Sequence, residues 1–205
     1  MGTENAGHRD PLEVLEKALA GGISHFQLRE KGPAALTGKA LAEFALQCKK
    51  LCSEYGVPFI VNDDVELAHE IGADGVHVGQ EDAAAGAVRR LIGKEKILGV
   101  SVHSLQEAQV AAESGADYVG MGPIFGTRSK NDAKSPSGVS GIMAVKSYFP
   151  NLPVIGIGGI TPENAKLVWA AGAQGIAVIS AIAQAENIPR QVERLKATYQ
   201  SEVLK

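Results

Sequence analysis

The feature that most constrains this chain is a repeated difference between the two faces of its predicted strands. Short β-branched runs alternate with amphipathic helical stretches, a pattern typical of βα units around a parallel sheet. Alternate residues of a strand face opposite sides, so Leu98, Val100 and Val102 share one face, whereas Gly99 and Ser101 share the other. A flat doubly wound sheet needs two aliphatic faces. The asymmetry therefore favours a barrel with a polar mouth at the carboxyl ends of its strands.

Seven such runs are predicted as strands, and eight predicted helices accompany them. The predicted strands are Ser24–Glu30, Pro58–Asn62, Gly75–Val78, Ile97–Val102, Tyr118–Gly122, Pro153–Ile157 and Gly175–Ile179. The clearest predicted helices are Pro11–Leu19, Ala35–Tyr55, Pro162–Ala171 after a Thr161 cap, and Ile188–Leu204. A (β/α)8 barrel opens with a strand, but here a helix comes first. We therefore predict an α/β fold, a TIM (β/α)8 barrel, over residues 1–205 as a single domain. Its first strand would be missing from this chain and lie upstream of Met1, and a genuine seven-stranded barrel is the alternative.

The net charge and the first residues limit which partners and which cellular location are expected. The net charge of −3 gives no reason to expect binding to nucleic acid or to an anionic membrane. The first residues have no signal-peptide pattern, so a cytoplasmic location is expected. Cys48 and Cys52 lie four positions apart in a predicted helix with no further metal ligands beside them, which indicates buried apolar residues.

Polar side chains gather where the first predicted strand ends. Arg29 and Lys31 lie there beside Gln27. A guanidinium fork and an ammonium group both suit phosphate oxygens, which favours a substrate-binding role. The alternative for this trio is a surface ion pair with Glu30.

Acidic and amide side chains follow the next two strands. Asn62 ends the second strand, Asp63 follows it, and Asp82 follows the third. Mg²⁺ prefers one or two carboxylates together with waters and substrate phosphates, so Asp63 and Asp82 are predicted metal ligands. Helix capping is the alternative for Asp82 and the preferred role of Asp64.

Two further side chains lie on the inward faces of strands. Two roles stay open for His77, that of a satisfied core residue and that of a substrate contact. The hydroxyl of Ser101 can bind a phosphate oxygen or cap a helix.

The loop from Gly122 to about Gly138 is longer than most βα connections, and we expect it to act as a lid. Thr127, Ser129 and Lys130 give it two hydroxyl groups and a cation. Its alternative is a solvated loop without a binding role.

Backbone groups of the last two strand ends predict a second anion site. Gly159 closes the run Gly156–Gly159, and Ile179 and Ser180 end the last strand. Barrels often bind a phosphate between these two loops through backbone N–H groups, which glycine lets approach closely. A basic, metal-assisted site suits a diphosphate and a neutral site suits a monophosphate, so two small phosphorylated substrates are expected.

The motifs together resemble the thiamine phosphate synthase family over nearly the whole chain. They are FQLREK (26–31), VNDD (61–64), GVHVGQED (75–82), LGVS (98–101), DYVGMGPIF (117–125), IGIGGIT (155–161) and VISAI (178–182). The resemblance implies a Mg²⁺-assisted transferase that joins a pyrimidine diphosphate to a thiazole phosphate by a dissociative substitution. No covalent nucleophile is implied, and a homo-oligomer is compatible with it.

The resemblance also implies a role for each matching residue. Contacts to the pyrimidine diphosphate are implied for Gln27, Arg29, Lys31, Asn62, His77, Ser101 and Lys130. Contacts to the thiazole phosphate are implied for Thr127, Ser129, Gly159, Ile179 and Ser180. The residues that would assist departure of the diphosphate are Arg29, Lys31, Lys130 and Ser101, and Asp63 and Asp82 would hold Mg²⁺.

Two other functions stay open at this point. A thiazole tautomerase is a related barrel, but it would not need Arg29, Lys31, Asp63, Asp82 or Lys130, which are all present here. A non-catalytic phosphate-binding barrel is the alternative from a different class, and the pair of predicted Mg²⁺ ligands argues against it.

Overall fold

A computed structural model describes residues 1–80, 84–127 and 135–203 of the chain, with residues 200–203 in backbone only. The strands are β1 (Phe26–Leu28), β2 (Phe59–Asn62), β3 (Gly75–Val78), β4 (Ile97–Val102), β5 (Tyr118–Met121), β6 (Val154–Ile157) and β7 (Gly175–Ala177). The helices are a 3₁₀ turn (Thr3–Ala6), α1 (Pro11–Ala20), α2 (Gly38–Glu54), α3 (Val65–Glu70), α4 (Ala85–Ile92), α5 (Leu105–Glu113), α6 (Ser140–Tyr148), α7 (Ala165–Ala170), α8 (Ser180–Ala183) and α9 (Ile188–Val203). All seven predicted strands are confirmed, although several are shorter than predicted.

Two of the boundaries that differ from the prediction, the end of β1 and the start of α7, have local hydrogen bonds that explain them. β1 stops at Leu28, since the N–H of Arg29 donates to the carbonyl oxygen of Met1 instead of continuing the ladder with β2. The helix that was expected to start at Pro162 starts at Ala165. Residues 162–164 form a separate turn, which is closed by a hydrogen bond from the N–H of Thr161 to Oδ1 of Asn164 at 2.9 Å.

The α/β, TIM-like part of the prediction is confirmed, whereas a closed eight-stranded barrel is not present in the part of the chain that the structure describes. The strands form one seven-stranded sheet in the order β1-β2-β3-β4-β5-β6-β7, and the described residues contain no eighth strand. Pairing is parallel between β1 and β2, β2 and β3, β4 and β5, β5 and β6, and β6 and β7. Ahead of β1 the chain forms the 3₁₀ turn and α1, and Met1 hydrogen-bonds beside β1 to the carbonyl oxygen of Gln27 and the N–H of Arg29. The expected upstream strand stays a prediction.

Contacts between Cα atoms group the chain into two compact units. The first comprises residues 1–77, 95–97 and 179–193, and the second comprises residues 78–94, 98–178 and 194–205. The first unit buries a cluster that includes Val14, Ala18 and Ile188. The prediction of a single domain is not tested by this grouping. Within the described residues, no helix is both long enough and apolar enough to cross a membrane.

A recurring two-point contact ties the amino end of one strand to the residue just before the next. In each case a side-chain oxygen accepts the backbone N–H of a strand residue, at 2.7–2.8 Å, while the backbone N–H of the same polar residue donates to that strand residue's carbonyl, at 2.8–3.0 Å. We call this contact a strand clamp. The three strand clamps are Asp74 with Phe59, Asp117 with Leu98, and Gln174 with Val154.

The strand clamps have a sequence signature, Gly-Ala-Asp or Gly-Ala-Gln, at residues 72–74, 115–117 and 172–174. The three glycines have φ values of 62°, 82° and 94°, the left-handed conformation that ends the preceding helix. Glycine adopts it without steric cost. The repeat thus stops each helix and delivers the polar side chain to the sheet at a fixed spacing.

Candidate active site

In the first unit, the structure brings a predicted anion-binding lysine against a predicted metal ligand. Nζ of Lys31, which follows β1, lies 2.5 Å from Oδ2 of Asp63, which follows β2. Gln27 lies between the buried residues Phe26 and Leu28, so it belongs to the opposite face of β1 from those two, as predicted. The carboxyl ends of β1 and β2 therefore carry the groups that the sequence assigned to them.

Asp63 adopts an uncommon backbone conformation. Its φ is +65°, and it is the one residue other than glycine with positive φ among those described. The N–H of Asp64 donates across it to the carbonyl oxygen of Asn62 at 2.8 Å, which makes a γ-turn of the rare, strained kind. The N–H of Asp63 donates to the carbonyl oxygen of His77 at 2.8 Å, so β3 supports this turn. Strain of this sort is concentrated at functional sites.

The two neighbouring aspartates have different tasks. Oδ1 of Asp64 accepts the N–H of Leu67 at 2.9 Å and caps α3, which confirms the predicted cap. The carboxylate of Asp63 is directed to the Lys31 ammonium instead and is 20% exposed, so it is accessible to a ligand. The Lys31 ammonium group therefore lies next to the carboxylate that was predicted to bind Mg²⁺.

Among the described residues of this turn, Asp63 is the candidate ligand for a divalent ion of the kind that keeps most of its water. Within the described ranges there is no group of three or more histidine, cysteine, aspartate or glutamate side chains that could hold a metal. Mg²⁺ does not require such a group, because one or two carboxylates with waters and substrate phosphates suffice. Asp63 supplies one carboxylate, while Asp82 lies outside the described residues.

His77 is buried within β3, with 6% of its surface exposed, and is paired in register with Asn62. This position is on the strand that was predicted to carry it. A buried histidine is consistent with both roles that the sequence left open. Its contact with the pyrimidine stays a prediction.

Ile179 and Ser180 lie at the start of α8, also in the first unit. Ser180 is the first residue of this helix, and the carbonyl oxygen of Ile179 accepts the N–H groups of Ile182 and Ala183 at 3.1 and 2.8 Å. The last predicted strand is thus shorter than expected, because the chain turns into α8 where a strand end was predicted.

In the second unit, Gly159 lies where two loops approach closely. Its φ is +65°, and a side chain there would overlap the carbonyl oxygen of Gly126 and the backbone of Phe125. The N–H of Phe125 donates to the carbonyl of Gly158 at 3.0 Å, so the β5–α6 and β6–α7 loops are joined. Glycine is therefore required at 159 by geometry, whatever its role in binding.

One residue that supports Gly159 escaped the sequence reasoning. Nδ2 of Asn164 donates to the carbonyl oxygen of Gly159 at 2.9 Å, while its Oδ1 accepts the N–H of Thr161. Asparagine is a preferred residue just before a helix, so this preference could have drawn attention to Asn164 before α7.

The other predicted residues of the second unit are only partly described. Ser101 lies in β4, and its carbonyl oxygen accepts a hydrogen bond from Nε2 of Gln80 at 2.6 Å. Thr127 is half-buried at the end of a described range. Ser129, Lys130 and Asp82 lie outside the described residues, so the lid remains a prediction.

Comparison with known proteins places the chain in a family. A sequence profile described as thiamine monophosphate synthase matches residues 1–182. The thiamine-phosphate synthase of Lysinibacillus sphaericus is 54% identical over 197 residues, covering 96% of this chain and 92% of that protein. That of Bacillus mycoides is 52% identical over 195 residues, covering 95% and 88%. The chain belongs to the thiamine-phosphate synthase family.

A solved structure agrees with the family assignment. The thiamine phosphate pyrophosphorylase of Pyrococcus furiosus superposes with a TM-score of 0.85 at 34% identity, covering 95% of this chain and 92% of the other. Family membership confirms the resemblance drawn from the motifs and the assignment to the transferases that make thiamine phosphate. Enzymes with TIM-like folds have their active sites at the carboxyl ends of the strands. Arg29, Lys31 and Asp63 follow β1 and β2 at these ends and are therefore candidate active-site residues of this chain.

Proposed function

We propose that this protein is a thiamine-phosphate synthase. It condenses 4-amino-2-methyl-5-hydroxymethylpyrimidine diphosphate with 4-methyl-5-(2-hydroxyethyl)thiazole phosphate and releases diphosphate. The observation that carries the proposal is the 54% identity to a thiamine-phosphate synthase over 96% of the chain. Members of this family use two small phosphorylated substrates, and the TIM-like order of βα units supports binding at the carboxyl ends of strands. A cytoplasmic location is part of the same proposal.

The reaction needs positive charge around a departing diphosphate. In the proposed mechanism the bond from the pyrimidinylmethyl carbon to the diphosphate breaks first, and the thiazole nitrogen then attacks that carbon. Arg29 and Lys31 provide charged donors at the end of β1, where they would stabilise the diphosphate as it leaves. Gln27 and Asn62 would orient the same substrate. Lys130 and Ser101 would complete this group of contacts.

The carboxylate of Asp63 is suited to hold Mg²⁺ together with Asp82. Bound Mg²⁺ would supply further positive charge to the leaving diphosphate. Lys31 now pairs with Asp63 at 2.5 Å, and a diphosphate offers the same ammonium a second anionic partner. The strained turn holds the Asp63 carboxylate beside Lys31 before substrate arrives, which reduces the reorganisation that binding requires.

The thiazole phosphate is proposed to bind through small and backbone groups. The residues assigned to it are Thr127, Ser129, Gly159, Ile179 and Ser180, and His77 is assigned to the pyrimidine side. The close approach of the β5–α6 and β6–α7 loops at Gly159 presents backbone without side-chain obstruction. Exclusion of water is the further requirement, because water would compete for the carbon that the thiazole nitrogen attacks.

The test is direct. The purified protein is incubated with both substrates and Mg²⁺, and thiamine phosphate and diphosphate are quantified by chromatography. Each substrate is left out in turn as a control, and excess EDTA is added to a matched reaction. We expect equal amounts of both products, and loss of turnover with EDTA. Absence of thiamine phosphate would refute the function, whereas full turnover in EDTA would refute the metal alone.

A further inference from the structure

Glu30, between Arg29 and Lys31, directs its carboxylate at backbone amides of two different segments. Oε2 accepts the N–H of Thr3 at 2.7 Å, and Oε1 accepts the N–H of Leu36 at 3.0 Å. The hydroxyl of Thr3 also donates to Oε1. The side chain thus joins the 3₁₀ turn near the amino terminus to the loop between β1 and α2. The surface ion pair considered for Glu30 from the sequence does not describe this use of its carboxylate.

A second carboxylate, that of Glu4 in the 3₁₀ turn, contacts the loop between β1 and α2. Oε1 of Glu4, in the 3₁₀ turn, accepts the N–H of Ala34 at 2.5 Å. Gly32 has φ of +141° and lies so close to Glu4 that a side chain there would overlap its carboxylate. Glu30 and Glu4 therefore connect the loop that follows Lys31, at Leu36 and Ala34, with the 3₁₀ turn.

We propose that Glu30 is a positioning residue for the pyrimidine diphosphate, an inference that rests on the proposed function. Its carboxylate joins residue 30 to the backbone N–H groups of Leu36 and Thr3, and the backbone at residue 30 sets where the neighbouring Arg29 and Lys31 side chains begin. Hydrogen bonds to an ionised acceptor are about twice as strong as neutral ones. Long basic side chains lose rotamer freedom when they bind a ligand, so a fixed backbone reduces the ordering that remains to be done. Glu30 itself does not touch the reacting atoms.

The decisive variant is Glu30→Gln, which keeps the size of the side chain. Both carboxylate oxygens accept an N–H in the native protein, whereas an amide offers one oxygen and places an NH₂ group against the other donor. Binding of inorganic pyrophosphate with Mg²⁺ is measured by titration calorimetry. KM for each substrate, kcat and thermal melting are measured on the same preparations.

We expect Glu30→Gln to weaken pyrophosphate binding and raise KM for the pyrimidine diphosphate by about tenfold, the effect of losing one charged hydrogen bond. KM for the thiazole phosphate should change less than about twofold, because Glu30 acts on one substrate only. A purely structural role would lower the melting temperature without separating the two substrates. The control is Glu13→Gln, which removes an exposed carboxylate paired with Lys17 at 2.6 Å.

Thr3 variants keep the test sharp if Glu30→Gln folds poorly. Thr3→Ser retains both donors to Glu30 and should match the wild type, whereas Thr3→Val retains the N–H only and should give an intermediate loss of pyrophosphate affinity. Wild-type pyrophosphate affinity in Glu30→Gln and Thr3→Val, or equal losses for both substrates, would overturn this proposal in an active enzyme. A wild-type protein that makes no thiamine phosphate would overturn the proposed function and this inference together.

Discussion

The strained turn at Asp63 predicts that two substitutions with the same chemical defect differ in stability. Asp63→Gly and Asp63→Ala both remove the carboxylate and the ion pair with Lys31, which contributes about 0–1 kcal/mol because both side chains are partly exposed. The φ of +65° costs alanine about 1–2 kcal/mol and glycine nothing. Glycine loses about 0.4–1 kcal/mol more through the entropy of the unfolded chain. We therefore expect Asp63→Gly to be the more stable variant by about 0.5–1 kcal/mol.

The assay compares thermal and urea unfolding with turnover. A difference of 1 kcal/mol corresponds to about 2–4 °C in Tm for a chain of this size. Turnover should fall about 100-fold or more in both variants, because loss of a metal ligand costs several kcal/mol of transition-state stabilisation. Asp63→Asn is the control, since asparagine tolerates positive φ and lacks the charge. Equal stability of the glycine and alanine variants would refute the strain, and wild-type turnover in either would remove Asp63 from the metal site.

Three further predictions concern stability and reactivity. Burial raises the pKa of the Cys48 and Cys52 thiols from 9.0 to about 12, so a thiol reagent at pH 8 should label neither until urea is added. The free energy of unfolding should fall as the pH rises from about 9 towards 12, because only the unfolded chain loses these protons in that range. Thr198→Val removes the acceptor of the Trp169 indole N–H, 2.8 Å away, and should lower stability by about 1 kcal/mol with a change in the fluorescence of the single tryptophan. Asp117→Ala breaks a strand clamp and should lower the free energy of unfolding in urea by about 1–3 kcal/mol without changing KM for either substrate. A changed KM would contradict the conclusion that the strand clamps lie apart from the active site.

Much of the fold was predictable because strand periodicity is a local property. The alternation in β4 marked an aliphatic and a polar face, and all seven strands are present. The ion pair between Lys31 and Asp63 was not predicted, but it agrees with the rule that the carboxyl ends of parallel strands share one edge. Asp64 was separable from Asp63 because a residue that directly precedes a helix has a known capping role.

The features that escaped prediction depend on contacts between distant residues. Nothing in the local sequence gives Asp63 a positive φ, because the hydrogen bond to His77 that supports it comes from another strand. The use of Glu30 depends on Thr3, 27 positions away, so its sequence neighbours indicated an ion pair instead. The closure of the sheet is a distant property for a similar reason: periodicity reveals the seven strands of this chain but not whether a further strand pairs with their edges.

The strand clamps have a consequence for how the chain folds. They join residues that are 15, 19 and 20 positions apart. Closing a short loop costs little entropy, and proteins rich in local contacts fold quickly. We therefore expect each clamped pair of strands to be able to form without waiting for the other two pairs. Because the clamps tie the amino ends of the strands, whereas the γ-turn at Asp63 lies at the carboxyl end of β2, we expect substitution of Asp63 to change the folding rate less than removal of a clamp.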